Sequence, residues 1–248
     1  MPEKDLLEIN KKIYLKNATI KQKIAYVWEY YKLHIFIIAC VIIGASYFIY
    51  HLVTRTEACL SGIFLNAYNM ENDSDVEDLG NEFLKLQNID SSKYEVRFND
   101  GLYLTGDDKL DFETDQAVWI QCTSGTVDFM VSPMEFLMDS AYQQYYVDLT
   151  SVLTEEQINK YQPYFLYIDG ATVEEVTELS NELKDISSEL PDPAKPEEMI
   201  DPIPVFIDMT QCEKLANIYK DTESLVFGAL VNAPDIDLAI EFLDYLTE

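Results

Sequence analysis

Nineteen consecutive positions, 35–53 (IFIIACVIIGASYFIYHLV), carry no formally charged side chain. As a helix the run spans ~28 Å, against a bilayer hydrocarbon thickness of about 30 Å. Core helices of soluble proteins seldom run so far without a charge on any face, so the pattern predicts a transmembrane helix over 35–53. Ahead of it, Ile20, Ile24, Val27, Trp28 and Tyr31 recur at helical spacing, with Lys21, Gln22, Glu29 and Lys32 on other faces. This predicts an amphipathic helix over 19–34 lying in the membrane interface. Trp28, Tyr30, Tyr31 and Lys32 would form one headgroup belt, and Tyr47, Tyr50, His51 and Arg55 the other.

Beyond residue 53 the pattern alternates between two periods. Strands are expected at 60–68, 94–98, 127–131, 165–168, 203–209 and 225–231. Between them, Ser74 with Glu77 makes a capping box ahead of Val76, Leu79, Phe83 and Leu86 on one helical face. A helix over 112–123 should turn Ala117, Val118 and Ile120 inward. Pro133 should open another, with Phe136, Leu137 and Ala141. Thr154 with Gln157 caps a short helix that stops before Pro163. Thr172 with Glu175 caps one with Val176, Leu179, Leu183 and Ile186 inward. Cys212, Leu215, Ala216 and Tyr219 share a helical face, and Pro234 opens a terminal helix with Ile236, Ala239, Leu243 and Leu246. Residues 187–204 hold five of the nine prolines and read as a surface crossing rather than core. Strands separated by helices imply an α/β fold, a mostly parallel sheet with helices on both faces.

Charge then divides the chain. Residues 1–34 carry a net +3 and residues 54–248 a net −31. Basic residues are retained on the cytoplasmic side, so the tail (1–18) is expected inside and the α/β domain (54–248) outside the cell membrane, in single-pass topology. The long basic tail is unlike the short basic region of a cleaved signal. Thr56, Glu57 and Ala58 lack the apolar residue expected three places before a lipidated Cys59. An uncleaved signal-anchor is the expectation, with the lipid bilayer as a partner.

Three segments resemble extracellular solute-binding proteins of the type 2 periplasmic-binding-protein class. Residues 124–153 (SGTVDFMVSPMEFLMDSAYQQYYVDLTSVL) resemble the stretch where a Gly, a strand, a helix and a return strand follow one another. Residues 203–215 and 230–248 resemble the family's closing segments, and residues 23–35 (KIAYVWEYYKLHI) resemble the anchor entry of small membrane-tethered members from Gram-positive bacteria. The resemblance implies either one full lobe with a reduced second lobe or a likeness to one lobe only, and a small solute or a peptide as ligand. It also implies a membrane transporter or envelope protein as partner. The outer part is short for two lobes, and its tether is a helix where the family usually has a lipid.

Composition removes most chemistries. No His lies beyond His51, which excludes His-assisted nucleophiles and His-ligated zinc from the outer domain. Neither GxGxxG nor GxxxxGK[ST] occurs, and so acidic a domain repels nucleic acid. No cofactor, catalytic residue or metal site is expected. The acidic groups Asp73, Asp75, Glu77 and Asp107, Asp108, Asp111, Glu113, Asp115 read as solvated faces; the first has Asp78 where a calcium loop needs Gly. Of the outer cysteines, Cys59 and Cys122 would both lie at the amino-terminal edge of the proposed sheet. That makes Cys59–Cys122 the one candidate disulfide, three buried thiols being the alternative.

Ligands of open α/β sheets sit beyond the carboxyl ends of strands. This selects Asn66 and Tyr68 after the first strand, Ser132 and Glu135 after the third, and Asp208 after the fifth. For each, the ordinary reading is a loop or capping residue, and that reading is the favoured one. Two functions follow: a non-enzymatic, membrane-anchored module binding a solute or peptide, or an accessory scaffold subunit that has lost its ligand.

Overall fold

The computed structural model describes residues 19–67, 75–176, 190–220, 222 and 224–248. The chain divides into two compact units, Met1–Arg55 and Thr56–Glu248. In the first, the two segments expected at 19–34 and 35–53 are one unbroken helix, α1 (Ile20–Val53). It starts where Gln22 Oε1 accepts hydrogen bonds from the Thr19 amide at 2.9 Å and hydroxyl at 3.1 Å. Its stretch Tyr31–Leu52 has a mean hydropathy of 2.2, and none of it is buried within the protein.

The second unit contains β1 (Glu57–Phe64), α2 (Asp75–Leu86), β2 (Tyr94–Asn99), α3 (Asp108–Thr123) and β3 (Phe129–Pro133). The short helices α4 (Met138–Tyr142), α5 (Leu149–Val152) and α6 (Glu155–Tyr161) come next. The chain closes with β4 (Phe165–Asp169), β5 (Pro202–Asp208), β6 (Leu225–Ala229) and α7 (Ile236–Thr247). The strands form one sheet in the order β2-β1-β3-β6-β5-β4. Among the described residues there is no second sheet, and hence no second lobe built on one.

The sheet is mixed, which corrects the expectation of a mostly parallel one. β1 runs parallel to β2 and β3, but β6 is antiparallel to both β3 and β5, and β4 is antiparallel to β5. Parallel neighbours need a crossover, as α2 and α3 provide, whereas antiparallel neighbours need only a return at the end they leave. The link from β5 to β6 is such a return. There the expected helix through Cys212 and Tyr219 is one 3₁₀ turn, Glu213–Leu215, followed by further turns. Leu215 and Tyr219 are nevertheless buried, as the apolar spacing required.

Alternate strand residues face opposite sides, so two cores form, one on each face. On the first, Phe64, Phe129 and Phe227 meet Phe83 of α2 and Phe242 of α7. Phe129 lies 5.1 Å from Phe227 and 5.0 Å from Phe242 between ring centroids, both stacked. On the second, Ile63, Met130, Phe206 and Val226 are covered by Cys122, Leu137, Ala141, Tyr142 and Tyr146. Helices therefore do cover both faces. Cys59 packs against the first core and Cys122 lies within the second, and all four cysteines are free thiols. The sheet itself separates the pair expected to form a disulfide. Burial pushes the Cys122 thiol up to about 12.

Local signals fare unevenly. The capping box of α6 forms, with Thr154 Oγ1 accepting from the Gln157 amide and Gln157 Oε1 accepting from the Thr154 amide. α7 is capped by Asp235 rather than opened by Pro234, its carboxylate accepting from the Leu238 amide at 3.0 Å. Pro133 ends β3, and the chain passes through the 3₁₀ turn Met134–Phe136 before α4. Ser74, Leu179, Leu183 and Ile186 lie outside the described residues.

Candidate functional site

Among the described residues of the outer unit, two cavities stand out. The larger, about 800 Å³, lies beyond the carboxyl ends of β1, β2 and β3 and beside the amino end of β6. Its walls are Asn66, the loop of Tyr103, Leu104 and Thr105, the Pro133–Phe136 turn, and Ile218, Tyr219, Lys220, Thr222 and Ser224. The position follows from topology: because β6 is antiparallel to β3, its entry loop meets the exits of β1 and β3 at the same end.

Each wall is pinned by its own sequence. Leu65 donates its amide to the Val131 carbonyl at 2.9 Å, and Asn66 follows with a φ of 59°. Asn and Asp tolerate that left-handed conformation better than other side chains. The Asn66 amide then bonds the main chain of Leu104 in both directions. Nδ2 donates to the Leu104 carbonyl at 2.9 Å, and Oδ1 accepts from the Leu104 amide at 2.7 Å. The same loop is held from the other side by Asp111 of α3, which accepts from the amides of Thr105 (2.7 Å) and Gly106 (2.8 Å) and from the Thr105 hydroxyl (2.9 Å). Burial works to raise the Asp111 carboxyl, but these donors more than offset it and hold it below the usual carboxylate range. The third wall is fixed by Tyr219, whose buried hydroxyl donates to the Val131 carbonyl at 2.9 Å, and by the Met134 amide, which donates to the Ser224 carbonyl at 3.0 Å. Burial, with the Asp100 charge adding to it, pushes the Tyr219 phenol well above its ordinary value.

The groove so built presents Tyr103, exposed by 54%, together with the exposed charges of Glu135 and Lys220 and the polar side chains of Thr105, Thr222 and Ser224. Aromatic, cationic and anionic groups thus share one rim. Among the described residues, that set can hold a polar solute and pairs no nucleophile with a base.

Of the residues selected from sequence, Asn66 and Glu135 line this groove. Ser132 is fully buried beneath it, and its hydroxyl donates to the Pro133 carbonyl at 3.0 Å. Tyr68 lies outside the described residues. Asp208 lines the second cavity, where its carboxylate accepts from the Thr210 amide at 2.9 Å and serves as a turn cap. Sequence reasoning passed over Tyr103, Thr105, Lys220, Thr222 and Ser224. A clue existed for the first two: strand-end loops after β2 point the same way as those after β1 and β3.

The second cavity, about 680 Å³, sits against the end of α7 and is lined by Lys160, Tyr161, Asp208, Cys212, Lys214 and Leu246 among others. Its two lysines are already engaged. Lys160 Nζ donates to Asp244 at 2.9 Å, and Lys214 Nζ donates to the Tyr245 carbonyl at 2.7 Å while lying 4.6 Å above that ring. Asp244 also accepts from Tyr161 at 2.6 Å and Gln157 at 2.7 Å. Burial pushes the Tyr161 phenol up to about 12, with the neighbouring carboxylate adding to it. Three of these contacts tie the Asp244 side chain of α7 to α6, and Lys214 completes a carbonyl of the last helical turn that has no helical partner.

No family model matches the chain, and no curated protein matches it. Among solved structures it is similar to one described as "substrate binding domain of putative molybdenum ABC transporter from Clostridium difficile". Sequence identity is 8% and the TM-score 0.33, over 77% of this chain and 93% of that chain.

Proposed function

We propose that this chain is a membrane-anchored, extracytoplasmic binding module that captures a small polar solute or a short peptide without transforming it. α1 is its tether, with residues 1–18 cytoplasmic. The observation that carries the reading is the groove of about 800 Å³ at the carboxyl ends of β1, β2 and β3. Its walls are set by main-chain hydrogen bonds, while Tyr103, Glu135 and Lys220 are left to face a ligand. A concave site of this size with a few convergent polar groups is where a small molecule is ordinarily held, and this groove is more polar than most.

The test is a thermal-shift panel of amino acids, short peptides, sugars and carboxylates on the full-length protein in detergent. A ligand at a hundred times its dissociation constant stabilises by about 2.7 kcal/mol, a shift of several degrees for a domain of this size. Lys220→Ala should then weaken binding of the responding ligand by about tenfold or more, the scale of a lost charge-assisted hydrogen bond. A panel with no response across these classes removes the proposal.

One observation favours a second reading, an accessory subunit seated against a membrane protein. α3 exposes Phe112 by 61%, Trp119 by 54% and Ile120 by 55%. Exposed apolar groups on one helix mark interaction surfaces. Co-purification of a membrane partner, lost with Phe112→Ser and Ile120→Ser, would favour it.

A further inference from the structure

The two edges of the sheet are treated differently. The β4 edge is covered, since the Tyr167 amide donates to the Pro193 carbonyl at 2.9 Å. β2 forms the other edge. Ser61 of β1 directs its amide to Asp128 Oδ2 and its carbonyl to the Asp128 amide, both on the β3 side. Leu60 and Gly62, which oppose Val96 and Phe98, are therefore the β1 residues that serve β2. In a parallel pair the residue directly opposite turns its own main-chain groups away. The N–H and C=O groups of Val96 and Phe98 thus point to the open side, where neither has a main-chain partner among the described residues. An edge left in this state is a template for another strand.

The side chains of this edge say which strand fits. Residues 94–98 read Tyr-Glu-Val-Arg-Phe, with opposite charges placed symmetrically about Val96. Glu95 and Arg97 project on one face, where Arg97 Nε donates to Glu95 Oε1 at 2.8 Å, and both side chains are well exposed. Tyr94, on the other face, is 40% exposed.

We propose that two copies of this chain pair antiparallel through β2, on a two-fold axis passing at Val96. In that register the outward groups of Val96 bond those of the partner's Val96, Glu95 opposes the partner's Arg97, and Tyr94 opposes the partner's Phe98. Cross-strand opposite charges and aromatic pairs stabilise such a ladder, and like charges destabilise it. The neighbouring registers are repulsive: centring on Glu95 sets that carboxylate against its own copy and Arg97 against the partner's Lys93, and centring on Arg97 opposes two guanidiniums. The interface is isologous, as a closed dimer requires. The two-fold axis of such a pair stands perpendicular to the sheet. Net acidity opposes any self-association at long range, and is screened at physiological ionic strength, where the Debye length is about 8 Å.

The test is the mass of the full-length protein in detergent, by sedimentation or light scattering at physiological salt, with circular dichroism reporting folding of each variant. The wild type should be a dimer. Arg97→Glu and Glu95→Arg should each weaken self-association on the order of tenfold or more. Mixing the two variants should restore a heterodimer, because an all-acidic edge then faces an all-basic one. The exchanged double variant E95R/R97E should pair with itself. Loss of the pair within one strand predicts no recovery on mixing, so recovery separates the interface from simple destabilisation. A wild type monomeric at every concentration, or one whose dimer ignores all of these substitutions, overturns the proposal. So does a monomer that accepts only foreign strand peptides at this edge.

Discussion

Three buried carboxylates show how single residues hold this architecture. Asp128 ties β1 to the start of α7 by accepting the amides of Ser61 and Asp235, each at 2.7 Å. Burial raises its carboxyl against the pull of those amides. Asp111 and Asp169 differ in sign. Asp169 accepts from the amides of Ala171 (3.1 Å), Ile200 (3.0 Å) and Asp201 (2.9 Å), which joins the end of β4 to the segment entering β5. Burial works to raise this carboxyl, yet the three amides hold it below its ordinary value. A depressed folded value contributes stability above the unfolded value of about 3.9, and the contribution disappears as pH falls through the folded one. Asp169→Asn should therefore lower the melting temperature at pH 7, with the gap from wild type closing below about pH 4. A gap that stays constant from pH 7 to pH 3 would assign the loss to packing alone. None of the three roles was legible in sequence, because a carboxylate serving distant amides leaves no periodic trace. Asp111 read there as one more member of a solvated acidic run.

At the scale of elements, close approach is the governing constraint. Gly62 lies at the centre of β1, and a Cβ there would meet the Phe129 ring at 2.3 Å. Gly80 of α2 similarly faces Val96 at 2.1 Å, so the helix rests almost on β2. Gly62→Ala should destabilise the outer unit by about 1–3 kcal/mol, the usual cost of overpacking a dense core. Chemical denaturation would show this as a lower midpoint with an unchanged slope. An unaffected midpoint would mean the Phe129 ring moves aside freely, contrary to its stacking on Phe227 and Phe242. What periodicity did convey was element type: β2, β4, β5 and β6 fall close to their expected positions, as do α6 and α7. It conveyed neither strand direction nor the quality of a helical face. Leu86 and Ile120 were both assigned inward, yet they are exposed by 59% and 55%. In α3, Ala117 and Val118 are only half-buried and Cys122 takes the interior position. Apolar residues on both sides of one helix leave spacing unable to rank them. The groove was half legible for the same reason. Asn66 and Glu135 follow strands whose ends are visible in sequence, whereas Lys220 and Ser224 come beside the start of β6, whose reversed direction is not.

For the whole molecule, the decisive contrast is between an uncharged helix and a domain of net −31. The stretch Tyr31–Leu52 has a mean hydropathy of 2.2, too apolar to be left in water. On the proposed reading a bilayer would supply the environment of that stretch, and the +3 tail would set the direction of insertion. Full-length protein should accordingly stay with membranes through alkaline carbonate washing. Protease added to intact cells should remove the part beyond Thr56 while sparing a short amino-terminal fragment. Ile42→Arg with Ile43→Arg places two cations at the middle of the span, each opposing insertion by about 2.5–3.5 kcal/mol at that depth. That double variant should abolish the protected fragment and shift the chain out of the membrane pellet. If the unaltered protein resists external protease or is recovered free in the soluble fraction, then the tether, the outward orientation and a ligand captured outside the cell all fail together. The groove and the β2 edge, being properties of the second unit alone, would still stand to be tested.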